Sequence, residues 1–397
     1  MTDSLLRFRA EFPILSTTNY MVSNSLGAMP RAVPARLAEY AEQWATRGVR
    51  AWAQGWWEMP VTVGDEIAPL IGAGTGEVAM VPNVSIAQAQ VLSALDYEPG
   101  GRDTIVMTEM DFPSVRYVYD SLATRLGARI VVVPSDDGIS VDEDRLLAAI
   151  DERTRLVAIS HVLFRSAYVL DAARICAHAH RMGALVSLDA YHSVGIIPVD
   201  VQAMQPDFLT GGVLKWLCGG PGGCFLWVRP EVSATTVPAL TGWQAHEHPF
   251  AFEPEMTYAH GSWGWLTGTP TIPALFAAVA GPRIVREAGM EAVRAKSVRQ
   301  THRLIELADA RGFAVIAPRD AVRRGGTVAF DVPHAREVAQ ALLARDVIVD
   351  YRPGAGIRVA PHFYTSDEEV EGVVQHIDDI LAKDEWKRYT GDKLVVT

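Results

Sequence analysis

The sequence predicts an α/β protein: a large domain organised around a mainly parallel sheet, followed by a smaller α+β domain. The first observation is a recurrence. Between residues 76 and 228, short apolar runs return at Glu77–Val81, Thr104–Thr108, Arg129–Val133, Leu156–Ser160, Leu185–Leu188 and Cys224–Trp227. Amphipathic, helix-like stretches separate them, among them Ser114–Leu126, Glu143–Ile150 and Ala172–Arg181. Strands alternating with helices are the pattern of βα units, and the runs differ too much from one another to be a solenoid repeat. The second observation is a change of texture after Pro238. Residues 241–271 are rich in Gly, Trp, Pro and His without a period, which predicts a long ordered loop region. A helical pattern then runs from Ile272 to Gly312. Strand-like stretches follow at Thr327–Val332, Val347–Asp350 and Ile357–Ala360, mixed with helices over Ala335–Arg345 and Ser366–Leu381. The expected division is an N-terminal segment 1–60, a large domain 61–270 and a small domain 271–397.

Composition narrows the class. The chain has 397 residues, 49% of them hydrophobic and 21% charged, which excludes disordered, collagen-like and small disulfide-stapled proteins. A formal net charge of −11, with Lys and Arg scattered, argues against nucleic acid and anionic membranes as partners. Three cysteines, Cys176, Cys218 and Cys224, are too few for a disulfide framework, and no metal-type Cys/His spacing occurs. Met1–Glu11 does not read as a signal peptide, and no uncharged apolar run reaches the length of a membrane span. The expected location is the cytoplasm, and no metal is expected.

Two segments carry chemistry: Ser187–Asp200, reading SLDAYHSVGIIPVD, and Gly211–Gly223, reading GGVLKWLCGGPGG. Asp189 closes an apolar strand, and ligands of open α/β sheets lie beyond the carboxyl ends of strands. A carboxylate there is commonly a cap or turn residue. His192, three residues on, can face the same crevice. Lys215 lies between Val213, Leu214, Trp216 and Leu217, in what reads as an apolar strand end before a Gly-rich turn. Burial disfavours its charged form. Such a lysine either snorkels to the surface or is held as an imine to a carbonyl cofactor. A lysine for the aldehyde and a carboxylate for the ring nitrogen are what pyridoxal phosphate requires. Val84 and Ser85 open a helix after a strand, a natural phosphate cradle. Phe112 follows the next strand, where a ring could stack on the cofactor.

Together these segments resemble the kynureninase branch of the class V aminotransferase family. The match rests on Asp189-x-x-His192-Ser193-x-Gly195 and on the run Lys215-Trp216-Leu217-x-Gly219-Gly220-Pro221-Gly222. It also includes Asn24-Ser25-Leu26-Gly27, with Ser23 in place of the motif's first glycine, and Phe112-Pro113-Ser114. Further pieces are Thr241-Gly242-Trp243 with His246 and Pro249-Phe250, and Gly268-Thr269-Pro270. The last are Asp350-Tyr351-Arg352-Pro353 and Ile357–Pro361 with Phe363-Tyr364. The likeness runs over nearly the whole chain. It implies fold type I, with a seven-stranded-type sheet in the large domain and the N-terminal segment packed on the small domain and the active site. It further implies pyridoxal 5′-phosphate as a Schiff base on Lys215, Asp189 paired with the pyridinium nitrogen, and His192 near the ring substituents. Val84 and Ser85 would bind phosphate. Trp243 and Thr269 would reach the cofactor across the interface of a homodimer with shared sites. Asn24 and Ser25 would contact an amino-acid substrate, and Arg358 would hold its α-carboxylate as a bidentate fork. A protein carboxylate such as Asp350 is the other partner open to Arg358.

The sequence departs from kynureninases in two places. Leu214 stands where they carry a tyrosine that binds phosphate and is a suspected proton donor. Val115 stands where they have an aspartate. The expectation is therefore kynureninase-like side-chain cleavage, hydrolytic or by elimination, on an amino acid other than kynurenine. Transamination or epimerisation shares the early steps. A cysteine desulfurase would need a nucleophilic cysteine on a loop of the small domain, and all three cysteines lie in the large one. A non-catalytic fold type I scaffold would not need to retain Lys215 and Asp189.

Overall fold

The computed structural model describes residues 3–391. Its large sheet has seven strands: β2 (Val78–Val81), β3 (Thr104–Thr108), β4 (Arg129–Val133), β5 (Thr154–Ser160), β6 (Leu185–Asp189), β7 (Phe208–Gly212) and β8 (Cys224–Val228). They follow β1 (Asn19–Tyr20) in the chain and lie in the order β2-β8-β7-β6-β5-β3-β4. The run from β7 to β4 is parallel, whereas β8 pairs antiparallel with both β7 and β2. Every residue of β2, β3, β7 and β8 is buried, as strands covered by helices on both faces must be.

β7 is the strand the sequence reading missed. Its Phe-Leu-Thr-Gly-Gly ends in two glycines, so it offers only two apolar residues where β8 offers five. Gly212 is glycine for a packing reason: a Cβ there would overlap the Tyr191 ring. Lys215 consequently lies three residues past the end of β7, in a turn, and not in a strand end as expected. Some of the helices begin where a side chain caps them. Asn83, Asp142, Asp171 and Asp200 each accept a backbone N–H of the first turn, and Ser366 forms a capping box with Glu369.

The small sheet contains β9 (Ala314–Val315), β10 (Val328–Asp331), β12 (Asp350–Arg352) and β13 (Gly356–Val359), antiparallel in the order β12-β13-β10-β9. Helices Met290–Asp309, Ala335–Leu343 and Asp367–Ala382 bury their apolar faces around it, with Leu304, Val338, Val373 and Ile377 in its core. The expected single strand Val347–Asp350 is two. β11 (Val347–Ile348) pairs in parallel with β1, and β12 turns away to pair with β13. That switch ties the N-terminal segment to the small sheet and delivers residues 23–28 to the carboxyl edge of the large one. There the Gly27 N–H donates to the Leu214 carbonyl at 2.7 Å, and a Cβ at position 27 would strike the Lys215 carbonyl. Among the described residues, no helix is long and apolar enough to cross a membrane.

Candidate active site

The carboxyl ends of β5, β6 and β7, the N-terminus of helix Val84–Ser93 and the loop after β3 enclose a cavity of about 330 Å³. The structure brings Asn24, Ser25, Val84, Ser85, Phe112, Asp189, His192, Lys215 and Arg358 to its walls. Trp243 and Thr269 do not reach it within one chain. Both are exposed, and Trp243 packs against Trp57, Phe250 and Phe252. Trp52 and Trp56 also belong to this aromatic packing and not to the cavity.

Lys215 Nζ lies 2.6 Å from His192 Nε2, with the Tyr191 ring centroid at 4.5 Å and that of Phe112 at 5.4 Å. Burial pushes the Lys215 pKa well below the ordinary lysine range; Asp189 opposes that shift and Arg358 adds to it. Burial likewise raises the Asp189 carboxyl, against the N–H it accepts from Tyr191 at 2.9 Å and the charge of Lys215. His192 is driven strongly toward its neutral form by burial, then by Lys215 and Arg358. A neutral imidazole can accept the lysine's hydrogen bond.

Buried hydrogen bonds hold these groups still. Asp111 accepts from Thr108 N–H at 2.8 Å and from Ser160 N–H at 2.6 Å, locking the ends of β3 and β5 together. Gln88 donates to Thr210 and accepts from Tyr119 and Ser187, bracing β6 and β7 beneath the carboxylate. Val115 is buried in the apolar layer with Ile105 and Met107.

Arg358 is 3% exposed and has a protein partner. Its Nε and Nη2 grip Asp350, which is fully buried, and its Nη1 donates to the Phe164 carbonyl. Arg352 also lines the cavity, with Nη2 3.3 Å from Asp350. The sequence reading did not assign Tyr191, Arg352, Phe164 or Ser160 to this cavity. Tyr191 sits inside the Asp189–His192 motif and was within reach; Phe164 and Ser160 stand in otherwise ordinary apolar surroundings and carry no local signal. The thiols of Cys176, Cys218 and Cys224 are buried, and burial pushes each up to about 12. Cys218 occupies the turn after Lys215, at positive φ.

The family model described as aminotransferase class-V matches residues 20–374. The chain belongs to the class V aminotransferase family. Within class V it is 34% identical to a kynureninase of Pseudomonas fluorescens, over 97% of this chain and 94% of that protein. It is 32% identical to one of Burkholderia pseudomallei (strain 1106a), over the same shares. This places it in the kynureninase-like branch. Its fold is similar to that of an apo cysteine desulfurase from Thermococcus onnurineus NA1, with TM-score 0.84 at 23% identity over 95% of this chain and 98% of that one. It is also similar to a C-DES mutant with glycine covalently linked to its PLP cofactor, with TM-score 0.85 at 21% identity over 94% and 99%. The architecture is thus fold type I, and the cofactor of this class V enzyme is pyridoxal 5′-phosphate.

The residues present fit that cofactor. An amine of lowered pKa, a buried carboxylate, an aromatic ring and a helix N-terminus share one cavity. Asn24 on its wall is 1% exposed, and among the described residues neither its side-chain nitrogen nor its oxygen has a hydrogen-bond partner. Buried amides are rarely left in that state, so a polar ligand suits this wall.

Proposed function

We propose that the protein cleaves the side chain of an amino acid other than kynurenine, by hydrolysis or elimination, with Lys215 as the residue that carries pyridoxal phosphate. The observation that supports this most directly is the Lys215–His192 contact at 2.6 Å, near a buried Asp189, in a cavity where Leu214 contributes a side chain without a polar atom. Bound at this site, the cofactor supplies an electron sink for the pair released when a bond at the substrate's Cα breaks. The chain's own residues do the rest. Asp189 would pair with the pyridine nitrogen and keep it protonated. Lys215 would hold the cofactor and could move a proton at the substrate's Cα, and His192 accepts a hydrogen bond from its amine. Arg358 orients the α-carboxylate, while Phe112 and Phe164 wall off water, their rings meeting edge-on at 5.2 Å.

The test is a panel of amino acids scored by product: pyruvate or alanine reports side-chain cleavage, and a keto acid reports amine transfer. Kynurenine should be a poor substrate, and Leu214→Tyr should raise its cleavage by on the order of 10²-fold or more, the scale of a positioned acid. Rapid kynurenine cleavage by the wild type would overturn the substrate assignment.

We further propose a homodimer in which Trp243 and Thr269 complete the neighbour's site. Lys215→Ala and Trp243→Ala protein, each nearly inactive alone, should regain about a quarter of wild-type activity when mixed and reassembled, because mixed dimers hold one intact site. No recovery despite proven subunit exchange would refute the shared site.

A further inference from the structure

Tyr191 occupies a place in this cavity that nothing so far assigns. Its backbone N–H is spent on Asp189 at 2.9 Å, so the residue is fixed to the carboxylate. Its ring lies beside Lys215 and over Gly212, whose missing side chain makes the room. The hydroxyl lies at the start of β8, where the partner it finds is the buried Cys224 thiol at 3.9 Å. That sulfur in turn accepts the backbone N–H of Val84, the first residue of helix Val84–Ser93. The phenol therefore reaches the helix N-terminus from the sheet side, while Ser85 lies on the helix side.

A thiol is a weak partner for a phenol, and buried tyrosine hydroxyls usually find a stronger one. At the helix end the Ile86 N–H is taken by the Asn83 side chain and the Val84 N–H by Cys224, and Ser85 brings its hydroxyl to the same wall. We propose that the Tyr191 hydroxyl is a ligand of the cofactor's phosphate, donating to it from the side opposite Ser85 while the ring seats Lys215. This rests on the cofactor site described above. Burial first, and then the neighbouring Cys224 and Asp189, push the phenol's pKa up, so it stays a donor at neutral pH.

The experiment compares two ligands that differ only in the phosphate. Cofactor-stripped wild type and Tyr191→Phe protein are titrated with pyridoxal phosphate and with pyridoxal, following the visible absorbance of the protein-bound imine. Tyr191→Phe keeps the ring and removes one donor. The expected result is a loss of about ten- to a hundredfold in affinity for pyridoxal phosphate, the scale of a hydrogen bond to a charged group. Affinity for pyridoxal should not change. Equal losses for both ligands would make Tyr191 a packing residue and overturn the inference. So would unchanged binding of both, including the case where turnover alone collapses. Wild-type protein that forms no imine with either ligand would instead overturn the cofactor site itself, and the inference with it.

Discussion

Lys215→Ala should remove the visible imine absorbance of the purified protein and lower turnover by at least about 10²- to 10⁴-fold, the contribution of one positioned proton-transfer group. Borohydride reduction of the wild type followed by peptide mapping should place the adduct on residue 215; an adduct elsewhere would overturn the site. The same lysine fixes a pH dependence. Only the unprotonated amine attacks an aldehyde, and burial holds the Lys215 pKa well below the usual value of about 10.4. The rate at which cofactor-free protein forms its imine should rise as pH increases through the neutral range and then level off. A rate still climbing steeply above pH ~9, as the ordinary value predicts, would show that the amine is not desolvated as the geometry requires. Asp189→Asn tests the opposing influence. Removing the carboxylate takes away the charge that favours protonated Lys215, so the plateau should move to lower pH.

How much of this was legible in the sequence depends on where the information is stored. The strands β2 to β6 and β8 announce themselves because their apolar runs are nearly continuous and are bounded by polar, Gly or Pro residues. β7 does not, since its Gly212 makes room for Tyr191 and its Gly211 for Phe225, contacts between residues 21 and 14 positions apart. The same holds for residues 347–350, where the apolar stretch Val347–Val349 conceals a switch between two sheets set by the N-terminal segment. The chemical core, Asp189, His192 and Lys215, was readable because unusual residue types interrupt apolar patterns. Residues that shape the cavity from apolar or small-residue backgrounds, such as Phe164 and Ser160, become visible only when the chain is folded. Tyr191 lies between these cases: its position in the motif was plain, and its role depends on Gly212 and Cys224.

Arg358→Leu should damage the protein twice, and the two effects can be separated. Asp350 is fully buried and gripped by Arg358 through two nitrogens. Stranding a buried charge costs about 3–5 kcal/mol, and here the lower end is expected because Arg352 remains 3.3 Å from the same carboxylate. This structural pairing does not exhaust the guanidinium. Of its five N–H groups, Asp350 and the Phe164 carbonyl take three, leaving one on each terminal nitrogen, in the end-on arrangement that a second carboxylate can accept. Losing that contact should weaken amino-acid binding by about 2–5 kcal/mol. The double variant Asp350→Leu/Arg358→Leu distinguishes the roles, because it removes the stranded charge along with its partner. Replacing both members of a buried pair with apolar groups is often neutral or stabilising, so the double variant should recover most of the lost melting temperature. It should not recover substrate affinity. If the double variant binds amino acids as the wild type does, Arg358 serves only to neutralise Asp350, and the substrate's carboxylate must be held by another group, with Arg352 the first to test.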